Sequence, residues 1–127
     1  MNLNLSGKTA MVCGSSQGIG FACAVELALL GANIILVARN QEKLKQVLKD
    51  LPKNDKQNHS FLVADFSNPE NLKSVINNFI DDGGTAQILI NNTGGPAGGP
   101  ITEATEDQFI STFNQHLICN HILVSAV

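Results

Sequence analysis

Along this chain, short and nearly continuous apolar runs alternate with longer segments in which apolar residues recur every three or four positions. The runs are Thr9-Ala10-Met11-Val12-Cys13, Asn33-Ile34-Ile35-Leu36-Val37, Ser60-Phe61-Leu62-Val63-Ala64 and Gln87-Ile88-Leu89-Ile90-Asn91. Runs of this kind, without polar alternation, predict parallel strands covered on both faces. The intervening segments carry helical marks. After Gly18, the residues Ile19, Ala22, Val25, Leu29 and Leu30 predict an inward stripe, with Gly31 placed for a left-handed cap. Leu44, Val47, Leu48 and Leu51 predict a second helix that stops at Pro52. Ser67-Asn68-Pro69-Glu70 reads as a capping box opening a third, whose stripe is Leu72, Val75, Ile76 and Phe79. A fourth starts at Thr105, with Gln108 three residues on, and runs to the end of the sequence with Phe109, Phe113, Leu117 and Val124 facing inward.

Four strands alternating with four helices imply an α/β fold, a parallel sheet with helices on both faces. Right-handed crossovers restrict the strand order. The expected order is 3-2-1-4, with the second and third strands on one side of the first and the fourth on the other.

Composition narrows the function classes. Charged residues make up 15% of the 127 residues and hydrophobic ones 43%, a globular balance rather than a disordered one. The net charge of −3 comes from mixed signs, so no basic stripe points to nucleic acid. The apolar runs are too short to predict a membrane span. Cys13, Cys23 and Cys119 stand apart in apolar stretches, and the first residues lack a signal-peptide pattern, which together predict reduced thiols and a cytoplasmic protein. There is no tyrosine and no tryptophan.

The candidate chemistry lies after the strands. Gly14, Ser15, Ser16, Gln17, Gly18, Ile19 and Gly20 join the first strand to the first helix. Free N–H groups at a helix start favour a bound pyrophosphate, and glycine is needed where the backbone turns tightly or approaches phosphate oxygens. The alternative is a structural turn that binds nothing. The second strand ends in Val37-Ala38-Arg39-Asn40. An acidic residue there would bond the ribose hydroxyls of NAD(H). Its absence, the small Ala38 and the guanidinium of Arg39 predict NADP(H) instead, unless Arg39 is merely solvated. After the third strand, Asp65 could accept a bond from an adenine amino group or help to cap the third helix, and Phe66 joins it as a cofactor-site candidate. After the fourth, Asn91, Asn92, Thr93 and Gly94 should face the glycine loop across the crevice where the strand order switches, or form a plain loop.

These motifs resemble the short-chain dehydrogenase/reductase family over essentially the whole chain. Gly14, Gly18, Ile19 and Gly20 match its T-G-x-x-x-G-I-G fingerprint, with Cys13 in place of Thr. Asp65 falls on its adenine-contacting Asp. Asn91-Asn92-Thr93-Gly94 resembles N-N-A-G, and the longer N-N-T-G-G-P resembles the 3-oxoacyl-(acyl-carrier-protein) reductase-like branch. The resemblance implies a Rossmann-type fold, an NADP(H)-dependent carbonyl/hydroxyl oxidoreductase, and a homo-oligomer formed through the fourth helix. It places His116 where the family carries a catalytic Asn, although His116 could instead be a polar residue at a helix interface. A metal on His116, Cys119 and His121 is not expected, because the spacing scatters them around the helix. The family's Ser and its Y-x-x-x-K would lie beyond the fourth helix. Residues 1–127 are therefore expected to be a partial dinucleotide-binding domain, inactive alone and exposing an apolar edge strand and helix face. The other readings are a non-catalytic nucleotide-binding module or an interaction protein derived from the same fold.

Overall fold

The computed structural model describes residues 3–127. Its strands are β1 (Thr9–Cys13), β2 (Asn33–Ala38), β3 (Ser60–Val63) and β4 (Ile88–Ile90). They form one sheet in the order β3-β2-β1-β4, all neighbours parallel, as expected from the alternation. The register places Met11 between Ile35 and Leu89.

Successive residues of a strand face opposite sides of the sheet, and the two halves of the core follow from this. Ala10 and Val12 of β1, with Ile34 and Leu36 of β2, pack under α1 (Gly18–Leu29) and α2 (Gln41–Asp50). Met11 and Cys13, with Ile35 and Val37, pack under α3 (Pro69–Asp81) and the chain's last helical segment. Ala10, Met11, Val12, Ile34 and Leu36 are fully buried. By contrast, β3 and β4 are sheet edges here, and their residues are only half-buried or exposed. The expectation of cover on both faces thus holds for the two central strands and not for the outer two.

The inward face of α1 differs from its predicted stripe. Gly20, Ala24 and Ala28 are buried, whereas Ile19 and Leu29 are 75% and 63% exposed. Small side chains at a spacing of four let this helix lie close on the sheet, so residue size rather than hydrophobicity chooses the face. The helix then stops at Gly31, which takes the anticipated left-handed conformation (φ +97°). In α2, Asn40 caps the first turn by accepting from the Lys43 N–H at 3.0 Å, and Leu44 and Val47 are buried as predicted. For α3 the predicted opening shifts by one residue. Asn68, not Ser67, is the cap, accepting from the Asn71 N–H at 3.1 Å, with Pro69 in the first turn.

The fourth helical segment begins as predicted, with a reciprocal capping box between Thr105 and Gln108. It is not one uniform helix. A first stretch, α4 (Glu106–Phe113), passes into a π-helical turn (Asn114–Ile118), where the Cys119 N–H bonds the Asn114 carbonyl five residues back. A second stretch, α5 (Cys119–Ala126), continues to the end. The wider turn displaces the apolar face that follows it by about one residue's rotation. Cys119 and Leu123 are therefore the buried positions, and α5 packs beside α3. Phe109, Phe113, Leu117 and Val124, predicted to face inward, are all more than half exposed.

The connection before β3 holds two buried polar anchors. Gln57 donates from Nε2 to the carbonyls of Ala28 and Ala32, each at 2.8 Å, and so closes the end of α1. His59 accepts the Ile34 N–H at Nδ1 (3.1 Å) and places Nε2 2.8 Å from the Pro52 carbonyl. Those partners assign the proton to Nε2 of a neutral ring. Among the described residues, no helix is long and apolar enough to cross a membrane.

Candidate functional site

The carboxyl ends of the four strands open into a cleft of about 430 Å³, within the range of ligand-binding cavities. Its floor is the turn from β1 into α1. Gly14 and Gly18 both take left-handed backbone (φ +58° and +59°), which side chains disfavour. A Cβ on Gly14 would collide with the carbonyl and side-chain amide of Asn92, and one on Gly20 would collide with the Gly14 carbonyl. Nothing, in contrast, lies near a Cβ built on Gly18, which faces the open cleft. The glycines therefore divide their work: Gly14 and Gly20 permit close packing, and Gly18 leaves space at the helix entrance. No side chain of Gln17, the residue before α1, caps that entrance. The first-turn N–H groups of α1 are left for an anion.

Along this floor Ser16, Gln17, Gly18 and Ile19 line the cleft, and the exposure of Ile19 is explained by its place at the mouth. Ser15 does not line it. It is fully buried beneath the turn, and its hydroxyl has no hydrogen-bond partner among the described residues. Gly20 likewise lies beneath the turn and outside the cleft lining.

At one end of the cleft stands Arg39, directly after β2, with the small Ala38 beside it. Arg39 also borders a shallower bowl with Asn40, Glu42 and Asp65. Asp65 lines the cleft and also organises the turn into α3, accepting from the Ser67 N–H at 2.9 Å and its hydroxyl at 2.7 Å. These bonds, with a smaller contribution from the Arg39 charge, hold its carboxyl below the usual carboxylate range. Phe66 follows it on the wall, and its carbonyl accepts the Cys119 thiol at 3.3 Å.

The opposite wall comes from the loop after β4. Asn92 donates its side-chain amide to the carbonyls of Cys13 and Gly14, both at 3.3 Å, and so ties the end of β4 to the end of β1. Thr93 and Gly94 also line the cleft, while Asn91 is exposed and outside its lining. The Thr93 hydroxyl lies 2.8 Å from His116 Nδ1, which fastens this loop to the π-helical turn. His116 is not itself on the cleft wall. Its neighbour Gln115 is, together with Gly95, Ala64 and Ser67; of these, the sequence offers only Gly95 as a place where backbone could approach a ligand. For Gln115 the missing signal is the π-helical turn, which no periodicity in the chain announces.

The nearby thiols are not poised as nucleophiles. Burial pushes Cys13 up to about 12, with a further contribution from Cys119, and burial raises Cys119 as well. Among the described residues no cluster of three His, Cys, Asp or Glu side chains could hold a metal ion. What the cleft offers is a helix start with free amides, a guanidinium at one end and a half-buried polar wall at the other. Those features suit an elongated anionic ligand.

Comparison with known proteins agrees with this geometry. A family model described as short chain dehydrogenase matches residues 8–126. The chain is 37% identical over 123 residues to human "inactive hydroxysteroid dehydrogenase-like protein 1", covering 95% of this chain and 37% of that protein. It is 30% identical over 127 residues to 3-oxoacyl-(acyl-carrier-protein) reductase of Chlamydia muridarum, covering 100% of this chain and 51% of the relative. Among solved structures it superposes on L-sorbose reductase from Gluconobacter frateurii, complexed with NADPH and L-sorbose. The TM-score is 0.88 at 30% identity, over 100% of this chain and 48% of that one. The chain thus spans about half the length of these proteins, or less.

Proposed function

We propose, from the premise that this chain belongs to the short-chain dehydrogenase family, that it is the NADP(H)-binding part of an oxidoreductase acting on a carbonyl/hydroxyl substrate. The observation that carries this reading is that the glycine turn, Arg39, Asp65 and the Asn92–Thr93–Gly94 loop line one cleft. The α1 entrance between Gly14 and Gly18 would hold the pyrophosphate. Arg39 receives the 2′-phosphate of the adenosine ribose, where Ala38 leaves room and no carboxylate repels it. Asp65 and Phe66 flank the adenine, and Thr93 and Gly94 border the nicotinamide side. A bound nicotinamide supplies hydride chemistry; the residues of this chain bind, orient and enclose it. The solved relatives that carry NADPH or NADP, L-sorbose reductase among them, support the cofactor class.

The finer reading is a 3-oxoacyl reductase-like substrate, supported by the Chlamydia relative and by the Asn-Asn-Thr-Gly-Gly-Pro stretch. Residues 1–127 then act as a partial dinucleotide-binding domain of a cytoplasmic protein. The exposed Phe109, Phe113 and Leu117 of the fourth helical segment support self-association through that face.

A second reading is a non-catalytic nucleotide-binding module. One observation favours it: the human relative's name calls it inactive. Titration with NADPH and NADH separates the readings from a structural shell that binds nothing. Tighter binding of NADPH is expected, and Arg39→Asp is expected to reverse the preference by about tenfold. An unchanged ratio of affinities would remove the role given to Arg39. Under either reading the isolated chain is expected not to oxidise NADPH with a ketone. Turnover proportional to pure protein would show that a proton donor other than tyrosine operates here.

A further inference from the structure

A second cation stands beside the cleft. Lys43, in the first turn of α2, extends its ammonium to within 3.4 Å of Gln17 Oε1 on the glycine turn. Gln17 lines the cleft, and so does Arg39, four residues before Lys43. The side chain therefore bridges from α2 to the turn that would hold the pyrophosphate. The neighbouring acid does not neutralise it. Glu42 is paired with Lys45 at 2.9 Å, and this is the sole ion pair among the described residues. Asp65, which lines the cleft with Arg39, is engaged by Ser67.

We propose that Lys43 is a specificity-determining residue, a second positive charge that acts with Arg39 to select a 2′-phosphorylated adenosine ribose. The inference rests on the NADP(H) reading above and assigns a further residue to it. Arg39 offers a planar fork at a fixed strand end. Lys43 offers a point charge on a flexible stem, held near its place by the Gln17 amide oxygen until a phosphate competes for it. A single contact to a neutral amide at 3.4 Å is weak, so handing the ammonium over to a doubly charged phosphate costs little.

The test uses the 127-residue chain with 2′,5′-ADP and 5′-ADP as probes, followed by calorimetric titration at two salt concentrations. Lys43→Met is expected to weaken 2′,5′-ADP by about three- to fivefold, with the loss shrinking at high salt. Binding of 5′-ADP should change less than about twofold, and Lys43→Arg should retain the wild-type ratio. An equal loss for both probes would make Lys43 a general anchor and overturn the proposal. So would no loss for either probe while Arg39→Ala abolishes the preference for 2′,5′-ADP; the NADP(H) reading would then stand without Lys43. Wild-type protein that binds 2′,5′-ADP no tighter than 5′-ADP, or binds neither, would overturn that reading and this inference together.

Discussion

The two rims of the cleft are built to different standards. On the β1–β2–β3 side, helix starts and turns are closed by side-chain partners. Asn40 and Asn68 cap their helices and Asp65 takes two bonds from Ser67. At the other end of the same strands, away from the cleft, buried Gln57 takes two carbonyls of the α1 terminus and His59 takes the first inner N–H of β2. On the β4 side the strand has three residues, residues 91–100 adopt no regular structure, and the following helix exposes Phe109 and Phe113. Two side-chain ties hold that rim: Asn92 to the β1 end, and Thr93 to His116. The rim with Arg39 and Asp65 thus stands on a fixed template, whereas the opposite rim is positioned by a few polar contacts. Firm support on one side and looser support on the other is a division that substitutions can test.

The largest effect is expected at the joint between the rims. Gly20→Ala puts a methyl group against the Gly14 carbonyl and close to the Asn92 amide, both fixed parts of the structure. The strand–helix turn must open, at a cost of about 3 kcal/mol. Urea denaturation should show a lower midpoint, with dinucleotide binding lost in the protein that remains folded. A midpoint within error of wild type would mean that the turn gives way easily, and the fixed-template description would not survive.

Next in size is Gln57→Leu, beneath the well-closed side at the amino ends of the strands. It removes the Gln57 donor from the Ala32 carbonyl and leaves the Ala28 carbonyl with the Gly31 N–H, a loss of about 2 kcal/mol. On the loose rim, Thr93→Val removes one half-buried bond to His116, at a cost below about 1 kcal/mol. Its signature should instead be faster amide exchange in residues 93–99. If Thr93→Val proved as costly as Gln57→Leu, the two sides would be equally tied and the contrast between them would disappear.

The same contrast explains what could be read in the chain. The four strands and their order were legible because a parallel strand announces itself by a local apolar run, and crossover geometry leaves few orders. Gly14, Gly18 and Arg39 were legible because their requirements are local: a left-handed turn and a strand-end charge. The face of α1 was not, since Gly20, Ala24 and Ala28 meet the sheet through small size, whereas an apolar stripe stands out by bulk. In the last helical segment, α4 buries no residue, and past the π-helical turn the change of phase moves the inward face from Leu117 and Val124 to Cys119 and Leu123. Gln57, His59 and Lys43 were missed for a common reason. A polar residue in a loop or on a helix gives no sign in sequence of the carbonyl, N–H or amide that the fold brings to it from 25 or more residues away.

The smallest expected effect concerns Asp65, which belongs to the fixed rim but lies near solvent. Its carboxylate accepts two bonds from Ser67, and these, more than the Arg39 charge, hold its folded pKa below the unfolded value. A depressed carboxylate stabilises the fold fully above the unfolded pKa, about 3.9, and the contribution fades as pH falls through the lower folded value. With solvent screening the amount is a few tenths of a kcal/mol, about what an exposed pair supplies. Asp65→Asn should therefore be slightly less stable than wild type at pH 6, and the gap should close as pH falls below the unfolded pKa and through the lower folded one. The Ser67 bonds decide the sign. If the gap widened in acid instead, the folded state would favour the protonated carboxyl, and Asp65 would belong among the loosely held groups of the cleft rather than on its template side.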